Sequence, residues 1–189
     1  MKTKSIAIIS CLILFFGAAM TVSAQNGNFG VVGLRFYQES RDRFSFDGET
    51  NFPSVGVYGS LGKEYMMSSR WSISPYAQLS YTLMNYGGVP SSKVKSLIDL
   101  TVVAPINYKI PLKKEGRFFY IGAGPSATAV ITDGLSNRRN FYCGVDFRFV
   151  WDISDKMFIG ADANFGLTDR SKIKSAYDAF VNIGLGWKF

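Results

Sequence analysis

From Phe141 onward the side chains obey a period of two, and that period limits what the chain can fold into more than any other feature. The odd positions read Phe141, Cys143, Val145, Phe147, Phe149, Trp151 and Ile153, while the even ones read Tyr142, Gly144, Asp146, Arg148, Val150 and Asp152. A strand turns successive side chains to opposite faces, whereas a helix repeats every 3.6 residues and would scatter this pattern around its circumference. The same phase returns from Met157 to Leu167, where Ile159, Ala161, Ala163 and Phe165 oppose Gly160, Asp162, Asn164 and Gly166. It returns again at the end, with Tyr177, Ala179, Val181, Ile183, Leu185, Trp187 and Phe189 set against Asp178, Asn182, Gly184, Gly186 and Lys188. Further strands are predicted near 117–131, 94–110, 71–86 and 52–65, with a less regular one at 28–37, which makes eight.

The connections alternate in length. Links at 66–70, 111–116 and 154–156 are short and rich in Ser, Pro, Gly and Lys, whereas those at 38–51, 87–93, 132–140 and 170–176 are mostly longer, polar and mixed in charge. Long loops at one end and tight turns at the other predict an all-β fold, a closed antiparallel up-and-down barrel of about eight strands. Pro75, Pro105 and Pro125 fall inside predicted strands. A closed barrel has no free edge to hide a missing donor, so each is expected to mark a bulge or a displaced boundary, above all at Gly122-Ala123-Gly124-Pro125.

Alternation alone does not say which face points outward, since a soluble lipocalin-like barrel turns its apolar face inward. Three observations favour a membrane-spanning barrel. The polar faces carry small and neutral residues with few charges, as in Ser72, Ser74, Tyr76, Gln78, Ser80 and Thr82, which suits a tight lumen better than a water-bathed exterior. All three tryptophans, Trp71, Trp151 and Trp187, lie on apolar faces at the turn end, as an aromatic girdle at one interface requires. Tyr81, Phe141 and Tyr177 are placed to form the opposite girdle. Finally, Phe141 to Trp151 spans about 33 Å of strand, or roughly 25 Å of height once tilted, the height of the apolar band. The 26 Phe and Tyr side chains are what such a lipid-facing wall needs.

The N-terminus reads as an address. Lys2 and Lys4 precede an apolar run from Ile6 to Met20, followed by Thr21-Val22-Ser23-Ala24, which predicts a signal peptide over 1–24 with cleavage between Ala24 and Gln25. The run is too short for the roughly 20 residues of a spanning helix. The lipoprotein-like Ile8-Ile9-Ser10-Cys11 has too little apolar sequence before it. The barrel domain is then 25–189, keeps Cys143 alone, and so has no internal disulfide.

The chain ends in Val181-Asn182-Ile183-Gly184-Leu185-Gly186-Trp187-Lys188-Phe189, which resembles the terminal strand of Gram-negative outer-membrane barrels. The resemblance implies a signal read by the barrel assembly machinery, carried by Val181, Ile183, Leu185, Trp187 and Phe189. The whole exported chain resembles the small eight-stranded OmpA/OmpX-like and PorT-like outer-membrane proteins. That implies residence in the outer membrane among its lipid and lipopolysaccharide, with periplasmic termini and porin-like architecture.

Charge and composition narrow the function. The formal charge of +7 falls to +5 without the signal peptide, is spread without like-charge blocks, and accompanies no nucleic-acid-binding motif. The chain contains no His, which removes His-based triads, general bases and metal sites. No cofactor or metal is expected, and the enzymatic reading is disfavoured because small barrel hydrolases use a catalytic His. The lumen should hold Arg35, Lys95 and Arg148 against Asp99, Asp146, Asp162 and Asp178. Within it, Arg148 is expected to pair with Asp146 on its own strand and Asp162 on the next, the alternative being that these charges face trapped water. Such a filled lumen leaves the loops as the contact surface. Phe44 and Phe46 among Arg41, Arg43, Asp47 and Glu49 suit a protein contact or a loop folded over the barrel mouth. Arg138 and Arg139, with Arg170, Lys172 and Lys174, suit lipopolysaccharide phosphates, an anionic glycan, or plain solvation. The expected role is structural, adhesive or surface-interacting, with a narrow conduit for small or hydrophobic solutes as the alternative.

Overall fold

The computed structural model describes residues 27–40, 54–84, 95–113, 116–133, 140–168 and 177–189. Their strands in chain order are β1 (Asn28–Ser40), β2 (Ser54–Lys63), β3 (Tyr65–Met66), β4 (Trp71–Ile73), β5 (Tyr76–Met84), β6 (Lys95–Val103), β7 (Ile106–Pro111), β8 (Phe118–Asp133), β9 (Phe141–Asp152), β10 (Met157–Gly166) and β11 (Tyr177–Lys188). β2 with β3, β4 with β5, and β6 with β7 are halves of single staves, so the described residues form eight staves. Each stave pairs antiparallel with its neighbour in sequence. β1 then pairs with β11 from Phe29↔Lys188 to Ser40↔Tyr177 and closes the barrel. Closure satisfies the backbone groups that an open edge would leave exposed, a requirement that is strict in lipid.

Of the two outcomes expected at the prolines, Pro75 and Pro105 show a strand boundary and not a bulge. Pro75 and Pro105 fall in the gaps between β4 and β5 and between β6 and β7, yet the register is unchanged across both. Ile73 faces Ile106, and three residues further on Tyr76 faces Val103, three residues back. Likewise Val103 faces Ser126 and Ile106 faces Ala123. The three prolines sit on adjacent staves, and each keeps one ladder bond through its carbonyl. Lys63 donates to Pro75 at 3.1 Å, Ser74 to Pro105 at 3.0 Å and Ala104 to Pro125 at 3.2 Å. Only the reciprocal bond is forfeited, because proline has no N–H. Gly122 to Pro125 run without interruption against Arg148 to Val145. The register shift lies instead at Ile98/Asp99, which face Thr132 and Val130 and leave Ile131 as the extra residue.

The barrel is polar inside and apolar outside. Val32, Leu34, Val57, Leu100, Val102, Ile121, Phe147, Phe149, Ile159 and Ile183 are exposed, while Arg35, Gln78, Ser80, Thr82, Asp99, Asp146, Asn164 and Asn182 are buried. An apolar belt around the whole circumference is far larger than the patches soluble proteins tolerate, and it is what a bilayer solvates. The fold is therefore a transmembrane β-barrel, and the lipocalin-like alternative, with its apolar face inward, is excluded by the observed orientation. Trp71 and Trp151 are exposed on the outer surface at the turn end, as the alternation predicts, and Trp71 packs on Tyr108 with ring centroids 5.0 Å apart. Trp187 lies at the same end, opposite Gly30 and Met157, on the outward face that it shares with Val181, Ile183, Leu185 and Phe189.

Candidate functional site

The inward phase of each stave builds the lumen in layers. Nearest the loops, Arg35 of β1 and Asp99 of β6 form an ion pair of 2.8 Å with both side chains fully buried. The Ser80 hydroxyl bonds both partners, Thr101 reaches the same carboxylate oxygen at 3.4 Å, and the guanidinium lies 3.7 Å from the Phe180 ring centroid. Tyr37, Leu97 and Phe180 pack together around this layer, and Tyr37 donates to Asp178. This closes the loop side of the lumen.

The middle layer is a network of amides and carboxylates. Asn182 donates to Asp162 at 2.6 Å and to Gln78 at 3.1 Å, while Asn164 donates to Ser126 at 2.7 Å and to Asp146 at 3.3 Å. Tyr76 reaches up from the layer below to donate to Asp146 at 3.1 Å. Below it, Phe29, Val31, Tyr58, Tyr76, Val103, Tyr120, Val150 and Phe158 form an apolar core inside the barrel. Phe158 has room because its cross-strand partner is Gly186, where any Cβ would collide with the ring.

At the turn end the lumen opens into a cavity of about 210 Å³ lined by Phe29, Tyr120, Val150 and Phe158, by Ser74 and Asn107, and by the charged Arg148, Glu64 and Lys188. Two ion pairs stand at its mouth, Lys109–Glu64 at 3.4 Å and Lys188–Asp152 at 2.5 Å. Asp152 also accepts from the Phe118 backbone N–H at 3.1 Å and the Tyr120 hydroxyl at 3.4 Å.

Arg148 makes no direct ion pair or hydrogen bond with Asp146 or Asp162, the two carboxylates expected to flank it. The register does set Arg148 opposite Asp162, with Asp146 on the same face of β9. Yet both carboxylates are already engaged by neutral donors, and the guanidinium lies over the rings of Phe29 and Tyr76, 4.6 and 4.8 Å from their centroids. A planar cation with two aromatic faces beside it gains cation–π attraction there without displacing the Asn and Tyr donors. The pair that does form, Arg35–Asp99, joins staves that are not adjacent, so sequence spacing carries no signal for it. The inward aromatics are also a correction, since the alternation places Phe and Tyr mainly on the lipid wall. Phe158 and Phe180 occupy the polar phase of their strands, and carrying that phase through would have revealed them. The signal-peptide junction at Ala24 and Gln25 and the loop residues Arg41, Arg43, Phe44, Phe46, Arg138 and Arg139 lie outside the described residues.

The barrel fold has counterparts among solved structures. The outer membrane protein OprG of Pseudomonas aeruginosa is similar over 87% of this chain and 97% of its own, with 14% identity and a TM-score of 0.51. Neisserial surface protein A (NspA) is similar over 86% of this chain and 97% of its own, with 12% identity and a TM-score of 0.52. At such identity the likeness is one of fold, that of the small outer-membrane barrels. No protein-family model and no curated protein matches the sequence.

Proposed function

We propose that the chain is an integral outer-membrane barrel that serves as a non-enzymatic surface-contact protein, working through its loops at the cell exterior. The observation that carries this reading is the closed loop side of the lumen, where Arg35, Asp99, Tyr37, Leu97 and Phe180 are buried to 2% exposure or less. Eight staves enclose just enough space for side chains to fill. A plugged barrel moves solutes poorly, so its useful surface is what it displays. The terminal strand with Phe189, Trp187, Leu185, Ile183 and Val181 supports assembly by the barrel machinery, and the termini then lie on the periplasmic side with the short turns. The loop bearing Arg41, Arg43, Phe44 and Phe46 combines residues that dominate binding hot spots, which supports a protein or glycan partner. Arg138 and Arg139 supply donors for lipopolysaccharide phosphates.

A photocrosslinking residue placed at Phe44 or Phe46 in intact cells tests this reading. The expected result is one discrete adduct that disappears when Arg41 and Arg43 are replaced by Ser, together with electrically silent bilayers from the purified protein. Stable conductance steps of reproducible size would overturn it in favour of a solute conduit.

A further inference from the structure

Among the described residues two arginines are buried in this lumen, and they are not equivalent. Arg35 is neutralised by Asp99 in direct contact, bonded to Ser80 and capped by Phe180. Arg148, 7% exposed, makes no hydrogen bond and no ion pair among the described residues, and one of its terminal nitrogens is shut away from any partner. Ring faces attract a guanidinium but accept none of its five N–H groups in the way an oxyanion does. Leaving such donors unmet inside a protein is costly, and here the residue that carries them lines a cavity.

We infer that this turn-end cavity is a binding site for a small organic monocarboxylate with an apolar body, and that Arg148 anchors its carboxylate. The sign follows from Arg148, the one charge of the described lining without a direct partner, since Lys188 is paired with Asp152 and Glu64 with Lys109. The carboxylates that would compete for Arg148 are engaged elsewhere, Asp146 by Tyr76 and Asn164, and Asp162 by Asn182. Lys188 and Lys109 are held at the mouth by Asp152 and Glu64, so neither competes with Arg148 for an anion nor closes over the cavity. The apolar body follows from Phe29, Val150 and Phe158, which leave a greasy wall beside the charge. Size follows from the volume of about 210 Å³, which suits a benzoate-sized molecule. Access is from the turn end, where Gly27 is exposed and Glu64 and Lys188 are partly so. This site is independent of the loop surface, and either can exist without the other.

Benzoate and its neutral analogue benzyl alcohol, titrated onto the refolded full-length barrel in detergent and observed by saturation-transfer NMR against empty micelles, test the assignment. Benzoate is expected to bind saturably and at least ten times more tightly than the alcohol. Arg148→Gln should abolish that preference and Arg148→Lys should keep part of it, in protein that still shows the heat-modifiable migration of a folded barrel. Val150→Phe, which fills the cavity and leaves the charges in place, should remove benzoate binding and serves if the arginine variants do not fold. Equal binding of acid and alcohol, a preference that survives Arg148→Gln, benzoate binding that survives Val150→Phe, or no saturable benzoate binding to the native barrel would each overturn the inference.

Discussion

Removing one partner of the Arg35–Asp99 pair should be the most damaging small change in the barrel. The two charged atoms are 2.8 Å apart and both side chains are fully buried. At that separation and an effective dielectric of about 20 the attraction is roughly 6 kcal/mol, most of it offset by the cost of desolvating two ions. The net worth of the pair against an apolar replacement is therefore near zero, but a lone survivor is another matter. Asp99→Asn strands a guanidinium that keeps only Ser80 and the Phe180 face, and should cost about 3–5 kcal/mol. Arg35→Met leaves a carboxylate that still accepts from Ser80 and Thr101, and should cost somewhat less, about 2–4 kcal/mol. Met also gives up the contact with the Phe180 ring, worth up to about 2 kcal/mol when desolvated. The double variant should recover most of the loss and lie within about 2 kcal/mol of the parent, giving a coupling of about 3 kcal/mol or more. The assay is reversible urea unfolding in lipid vesicles, followed by tryptophan fluorescence and by heat-modifiable migration. Additive single costs with no coupling would refute the claim that the two residues neutralise each other directly.

Other consequences are simpler. Ile183 lies midway along β11 on the outer face, so Ile183→Arg should cost about 2–4 kcal/mol in vesicles, whereas Trp151→Arg at the turn-end interface should cost about 1 kcal/mol or less; urea titration of both reads the depth profile directly. Gly186→Val forces a Cβ into the Phe158 ring and should destabilise by about 1–3 kcal/mol, with partial recovery in the Gly186→Val/Phe158→Leu double variant on the same titration. Cys143 is exposed on the outward phase of β9, so a nitroxide attached there in vesicles should collide with oxygen far more than with a water-soluble nickel complex, while a label at Asp155→Cys, exposed in the turn after β9, should not show that oxygen preference.

The eight staves, their order and their inside-out orientation were legible because lipid leaves a chain few choices. Every backbone group must pair, so the strands must close, and the outer phase must be apolar along its length. That makes a local pattern such as Phe147-Arg148-Phe149-Val150-Trp151 nearly sufficient to assign a face. Pro75 and Pro105 interrupt strands without a bulge for a related reason. In water a missing donor invites a bulge, but here neighbours on both sides of each stave hold the register, and losing one bond in a ladder costs less than shifting every side chain to the wrong face. The lumen obeys a different logic. Its contacts run across the barrel between staves distant in sequence, such as Tyr76 with Asp146 and Asn182 with Gln78, and their choice depends on volume as much as on charge. Arg148 shows this most clearly. Register brings it opposite Asp162, yet the small residues of β11 let Phe158 and the rings beside it occupy the lower lumen, and the guanidinium settles among rings while Asn182 takes the carboxylate. Charges that look complementary along two neighbouring strands are thus partnered elsewhere, and the arginine they leave behind faces a cavity. The same all-round constraint that makes the wall readable from sequence frees the interior to vary, so differences in ligand among barrels of this fold should be sought in which inward charge has been left without a partner.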